Sequence, residues 1–175
     1  MTTPAGRTFG TILHRVLADL IKASGTAWSP EQLLQWLALH PLVRACIVGT
    51  EVKTRNRLAV ALSVYRHHFV LSERWHVVDI DVRTPHAELD VVWCRDDGVI
   101  MADEIKSGAM TGSAMRHLEE QLARQLTDGP TLYGEPFSGV RAVLLQAPGD
   151  SRFFGIDGAI GPANTMDSSS SRHDA

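Results

Sequence analysis

The chain has 175 residues, of which 44% are hydrophobic and 21% are charged, and its formal net charge is −3. This length can enclose one hydrophobic core, and the charge argues against indiscriminate nucleic-acid binding, which favours basic domains. No apolar run approaches the ~20 residues that a membrane helix needs, and the N-terminus lacks a signal-peptide pattern, so we expect a cytoplasmic protein without a membrane partner. The two cysteines, Cys46 and Cys94, are too few for a disulfide framework or a cysteine-rich metal cluster.

Helical patterns fill the N-terminal part of the chain. Apolar residues between Phe9 and Ile21 recur at helical spacing and predict a first amphipathic helix. Ser29 is the predicted N-cap of a second helix, and Gln32 completes a capping box. A third helix is predicted over residues 51–71. Basic residues concentrate around this third helix and predict either a phosphate-contacting face or a solvated helix surface. They are Arg44, Lys53, Arg55, Arg57, Arg66 and Arg74.

Three strands are predicted next, because alternating patterns and β-branched side chains replace the helical spacing. These strands cover residues 74–83, 88–95 and 99–108. The sequence Asp-Asp-Gly at 96–98 predicts a short turn between the second and the third. The second and third strands are therefore expected to be adjacent and antiparallel.

A helix and a buried strand complete the pattern. Residues 113–129 carry one apolar stripe, and Pro130 with the glycine before it predicts the end of this helix. Residues 139–148 are almost purely apolar, which is typical of a strand buried on both faces. The order of elements predicts a single α/β domain with a mixed sheet over residues 1–160, followed by a disordered, low-complexity tail over 161–175.

One predicted strand places an acid and a base two positions apart. Because side chains alternate across a strand, Glu104 and Lys106 are expected to project from the same face. Asp90 lies on the preceding strand, where antiparallel pairing can bring it close to Glu104. Two neighbouring carboxylates repel each other unless a cation joins them, so the pattern predicts a bound divalent metal. Lys106 would then lie beside a nucleophile or beside the charge that builds on a phosphate.

This arrangement of an acid, a gap and Glu-x-Lys on consecutive strands resembles the PD-(D/E)xK nuclease superfamily. Two further stretches resemble its RecB-like branch: Gly10 followed by His14 on the first helix, and Gln121 on the later helix. The resemblance covers roughly residues 8–147. It implies a restriction-endonuclease-like core in the order αβββαβ, with a mixed sheet flanked by helices and extra N-terminal helices. Gln125 departs from the pattern, because the branch usually has Tyr at that position.

The resemblance also implies a role for each matching residue. The ligands of Mg²⁺ or Mn²⁺ would be an imidazole, two carboxylates and a backbone carbonyl, from His14, Asp90, Glu104 and Ile105. Lys106 would be the catalytic lysine, and Gln121 would support the site or contact DNA. The implied protein is a metal-dependent DNase of DNA repair, recombination or phage-related DNA processing. Its partners would be DNA and a helicase or another subunit of a repair complex.

Other interpretations of the same residues stay open. The two carboxylates and the lysine can form a structural ion-pair cluster, in a catalytically silent nuclease-fold protein that binds DNA or serves as a structural subunit. His14 can be an ordinary helix-surface residue, and Asp79 or Asp81 could add a carboxylate from the first strand. Gln121 and Gln125 are expected to flank the apolar stripe of their helix rather than to lie in it, which leaves a role in the site open for both.

Overall fold

The computed structural model describes residues 9–46 and 51–163. The chain divides into two compact units, the first ending at His67 and the second beginning at His68. Within the described ranges no helix is long and apolar enough to cross a membrane. The single domain proposed for residues 1–160 remains a prediction. Of the predicted tail, residues 164–175 lie outside the described residues.

The first unit is helical, as the apolar spacing predicts. The helices are α1 (Phe9–Ser24), α2 (Pro30–Leu39), α3 (Pro41–Arg44) and α4 (Glu51–Phe69), the last of which continues into the second unit. The predicted capping box is present at the start of α2: the Gln32 backbone N–H donates to Ser29 Oγ at 3.2 Å, and the Ser29 N–H donates to Gln32 Oε1 at 2.8 Å. Both bonds satisfy backbone donors that the first turn would otherwise leave unpaired.

The second unit is built on one mixed sheet. Its strands are β1 (Trp75–Arg83), β2 (Glu88–Arg95), β3 (Ile100–Lys106), β4 (Phe137–Leu144), β5 (Arg152–Gly155) and β6 (Ile160–Pro162), and they lie side by side in chain order. All neighbours are antiparallel except β3 and β4, which are parallel and joined by helix α5 (Gly112–Tyr133). This architecture confirms the predicted α/β class with a mixed sheet and N-terminal helices, and it is compatible with a restriction-endonuclease-like core.

The C-terminal boundaries differ from the sequence prediction. Pro130 lies inside α5 rather than after it, in the last turn of the helix, so its missing N–H interrupts the hydrogen-bond ladder only near the end. The helix ends instead at Tyr133, and its C-cap Gly134 has a φ of 74°, a positive value that glycine adopts without strain. The sheet also continues past residue 160, since β6 runs to Pro162.

Helix α5 covers one face of the sheet. Its Leu118 and Leu122 are buried in a cluster that includes Ala102 of β3 and Val140 of β4. Ala102 is the register partner of both Val92 and Val140, so these three side chains lie on the same face. Because side chains alternate, Glu104 faces α5 as well, whereas Asp103 and Arg141 face the opposite side.

Candidate active site

The candidate site begins where strands β2 and β3 separate. Their paired register runs from Cys94 with Ile100 to Val91 with Asp103, and the next residues are Asp90 and Glu104. Beyond this point a side chain replaces a backbone acceptor: Asp90 Oδ2 accepts a hydrogen bond from the backbone N–H of Ile105 at 2.7 Å. The carboxylate of Asp90 is thereby fixed at the edge of the gap between the two strands.

Glu104 and Lys106 form a close ion pair on the face that α5 covers. Glu104 is 1% exposed, and its Oε1 lies 2.6 Å from Lys106 Nζ. Lys106 Nζ also donates to Gln121 Oε1 at 2.7 Å, so α5 holds the ammonium from the other side. The two-residue spacing in the strand thus places the acid and the base in direct contact.

The electrostatics of Glu104 favour a nearby cation. Burial raises the pKa of Glu104, and repulsion from Asp90 raises this pKa further. Lys106 and Gln125 oppose these effects, but the net pKa remains above the ordinary value. Two carboxylates therefore lie close enough to repel each other in a poorly solvated place.

Gln125 contacts the residues of this site, a role that the sequence left open. It is fully buried, and its Nε2 donates both to Glu104 Oε2 and to the backbone carbonyl of Glu88, the latter at 2.6 Å. The expectation that Gln125 flanks the apolar stripe is therefore wrong. It continues the buried row of Leu118 and Leu122 along α5. The spacing of three residues after Leu122 could have indicated this burial.

The oxygen atoms of the site suit a hard divalent cation. Within the described residues no group of three or more His, Cys, Asp or Glu side chains is arranged to hold a metal. Two carboxylates with a backbone carbonyl nevertheless match Mg²⁺, which proteins commonly bind through one or two carboxylates, with water and substrate phosphate completing the shell. The Ile105 N–H points toward Asp90, and in a strand the carbonyl of the same residue points to the same side. Asp90, Glu104 and the Ile105 carbonyl are three of the four predicted ligands, and their role in binding a metal remains a prediction.

The other sequence candidates have hydrogen-bond partners of their own or stay untested as ligands. His14 lies half-buried on α1 in the first unit, and its role as a ligand remains a prediction. Asp79 accepts a hydrogen bond from the Tyr133 hydroxyl at 3.0 Å, and burial together with this bond raises the pKa of Tyr133. Asp81 has a positive φ of 60° and is hydrogen-bonded to Glu88, which raises the pKa of the Glu88 carboxyl.

Of the basic residues in the first unit, Arg44 and Arg55 line a common cleft, whereas Lys53 and Arg57 are exposed on α4. Lys53 and Arg57 are exposed on α4, and the Arg57 guanidinium lies 4.1 Å from the centre of the Phe9 ring. Arg44 and Arg55 line a cleft of about 400 Å³ together with apolar side chains and Glu51. Their predicted role in phosphate binding remains a prediction.

No family model matches the chain, and no curated protein matches it. Among solved structures, the chain is similar to one described as "Structure of EndoMS-dsDNA2 complex", with 20% sequence identity and a TM-score of 0.33. The similarity covers 48% of this chain and 32% of that one, so it spans about a third of the other protein. So limited a likeness carries no argument about function.

Proposed function

We propose that this protein is a metal-dependent DNA nuclease that hydrolyses phosphodiester bonds, of the RecB-like PD-(D/E)xK type. One observation supports the proposal above the others: the ammonium of Lys106 contacts the buried carboxylate of Glu104 on the face where Asp90 also lies. An acid pair that can hold a cation, with an ammonium beside it, suits phosphodiester hydrolysis, because the cation and the ammonium offset the negative charge that grows on the phosphate.

Each residue has a distinct task in this proposal. Asp90, Glu104 and the Ile105 carbonyl would hold Mg²⁺ or Mn²⁺. The cation supplies Lewis-acid stabilisation of the phosphate and lowers the pKa of a water. Lys106 orients the attacking water and offsets part of the charge on the scissile phosphate. Gln121 accepts a hydrogen bond from Lys106 Nζ at 2.7 Å and so fixes the position of that ammonium.

The decisive experiment is a cleavage assay with the purified full chain. Linear, circular and single-stranded DNA are incubated with Mg²⁺, with Mn²⁺ and with a chelator. Asp90→Asn, Glu104→Gln and Lys106→Met should each lower cleavage by about a hundredfold or more, since several kcal/mol of charge stabilisation are lost. Asp97→Asn is the matched control, because Asp97 is an exposed turn carboxylate that pairs with Arg95.

The main rival is a nuclease-fold protein that binds DNA without cutting it. The structure contains one observation in its favour: both oxygens of Glu104 already have protein partners, Lys106 and Gln125. DNA binding by wild type without cleavage in either metal would support this rival and reject the proposed enzyme. Normal cleavage by any one of the three site variants would remove that residue from the mechanism.

A further inference from the structure

Gln125 is a polar residue that is fully buried beside the candidate site. Its side chain is fully enclosed, and an enclosed amide costs free energy unless it is hydrogen-bonded. Its Nε2 uses both hydrogens, one on Glu104 Oε2 and one on the carbonyl of Glu88. Its Oε1 has no hydrogen-bond partner within the described residues. The amide therefore acts as a hydrogen-bond donor, to the carboxylate of Glu104 on β3 and to the backbone of Glu88 on β2, the strand that carries Asp90.

The two oxygens of Glu104 are consequently divided between two kinds of partner. Oε2 receives a hydrogen bond from the neutral amide of Gln125, while Oε1 lies 2.6 Å from the ammonium of Lys106. A neutral donor fixes the rotation of a carboxylate but leaves its charge in place. Oε1 forms an ion pair with Lys106 but no hydrogen bond within the described residues, so the charge of Glu104 is directed to the side of Oε1.

We propose that Gln125 is a positioning residue that holds Glu104 with Oε1 presented to the divalent cation, a role that rests on the proposed function. The same amide links Glu104 to the backbone of Glu88, two residues before Asp90, and so ties both carboxylate-bearing strands to α5. Donors to metal-ligating carboxylates commonly set metal affinity, and their loss typically lowers it about 10–100-fold. Gln125 therefore tunes cation binding without touching the cation.

A matched pair of glutamines tests this role. Gln125 donates to Glu104, whereas Gln121, four residues earlier on the same helix, binds Lys106. Mn²⁺ binding to the full chain without DNA is measured by titration calorimetry for wild type, Gln125→Met and Gln121→Met. We expect Gln125→Met to weaken Mn²⁺ binding about 10–100-fold. Gln121→Met should change the affinity far less, although it should slow cleavage.

The outcomes separate this proposal from the proposed function. If Gln125→Met binds Mn²⁺ as wild type does while Glu104→Ala does not, the positioning role is wrong and the metal site stands. If Glu104→Ala and Asp90→Ala both bind Mn²⁺ normally, the metal site of the proposed function is wrong. Equal weakening in Gln121→Met and Gln125→Met would also overturn the proposal, because it would indicate general loosening of α5.

A second variant guards against a failure to fold. Gln125→Asn keeps the amide but is shorter by one methylene, which withdraws its N–H from Glu104. It should weaken Mn²⁺ binding in the same direction as Gln125→Met. Wild-type affinity in Gln125→Asn would overturn the positioning role, because the contact with Glu104 would then be dispensable.

Discussion

Arg141 is fully buried in β4, on the face of the sheet opposite Glu104. Its guanidinium forms two hydrogen bonds with Asp103, at 2.7 and 2.8 Å, and a third with the carbonyl of Phe69 at 2.7 Å. The Trp93 indole N–H also donates to Asp103, at 3.0 Å. Asp103 directly precedes Glu104, so this ion pair fixes the strand that carries the candidate site. A buried pair of this kind is costly to break, because one partner is left charged and unpaired.

Arg141→Met is expected to destabilise the protein by about 3–5 kcal/mol, since the fully buried carboxylate of Asp103 loses its cation. The double variant Arg141→Met/Asp103→Leu should recover part of this loss, because it removes the stranded charge. Urea unfolding of the two variants and wild type measures both quantities. If Arg141→Met is as stable as the double variant or more stable, then an unpaired Asp103 carboxylate does not destabilise the protein.

At the residue scale the sequence predicted that Asp90, Glu104 and Lys106 lie together, but it did not predict the hydrogen bond from Gln125 to Glu104. The placement of Asp90, Glu104 and Lys106 follows from the two-residue period of strands and from the short turn at 96–98, both of which are local. Gln125 stands where the resembling branch usually has Tyr. Its contact with Glu104 depends on how α5 packs across the sheet, and no local spacing encodes that packing.

Asp128 fastens α5 to the turn between β1 and β2. Its carboxylate accepts hydrogen bonds from the Thr84 hydroxyl and from the backbone N–H of His86, and its Oδ1 lies 2.9 Å from His86 Nδ1. The bonds from His86 and Thr84 lower the pKa of Asp128 from 3.8 to about 2. The charged carboxylate thus connects the first hairpin of the sheet to the helix that carries both glutamines.

Asp128→Asn should lower Tm at neutral pH by a few degrees, because the charged acceptor is lost. A depressed pKa contributes stability above the ordinary value and loses it as the pH falls through the folded value. The difference from wild type should therefore shrink between pH 3.8 and about 2. Thermal melts across this range measure it.

Asp97→Asn is the control for this prediction, since Arg95 lowers the pKa of Asp97 to about 2 as well. Asp97 pairs within one exposed turn and joins no two elements, so its substitution should change Tm less. A larger decrease of Tm in Asp97→Asn than in Asp128→Asn would contradict the proposed role of Asp128 in connecting α5 to the sheet.

At the element scale, long periodic segments were predictable and short ones were not. The helices α1, α2 and α4 and the strands β1 to β3 follow their predicted ranges, because each has many residues in one period. Strands β5 and β6 have four and three residues, too few to show alternation. β5 pairs with the edge of β4, and β6 pairs with β5, so the position of each comes from the strand beside it rather than from its own sequence.

For the whole molecule, the choice of metal is the broadest test of the resemblance. Imidazole suits Mn²⁺ better than Mg²⁺, which prefers oxygen ligands, so a site that includes His14 should use Mn²⁺ at lower concentration than Mg²⁺. His14→Ala should then weaken the Mn²⁺ response most and narrow the gap between the metals. Titrating each metal against both proteins, with cleavage as the readout, checks this. Unchanged Mn²⁺ dependence in His14→Ala would leave a site of oxygen ligands and remove the RecB-like assignment.

The parallel pairing of β3 with β4 has a consequence for the order of folding. Strands β1 to β3 pair through short turns, whereas β3 and β4 meet only after residues 107–136, including α5, have been placed between them. Contacts between residues distant in sequence are slow to form, so the hairpins are expected to precede the docking of α5. Asp90 and Glu104 would then face each other before Gln125 arrives.

Stopped-flow kinetics can test that order. A contact made after the transition state affects the unfolding rate alone, so Gln125→Met should unfold faster while its folding rate stays near that of wild type. Val92→Ala, inside the early hairpins, should slow folding instead. Slower folding in Gln125→Met would mean that the helix docks early. In the expected order, the carboxylates of Asp90 and Glu104 come together before the Gln125 amide can donate to Glu104. Docking of α5 would then both complete the site and be the last step that stabilises it.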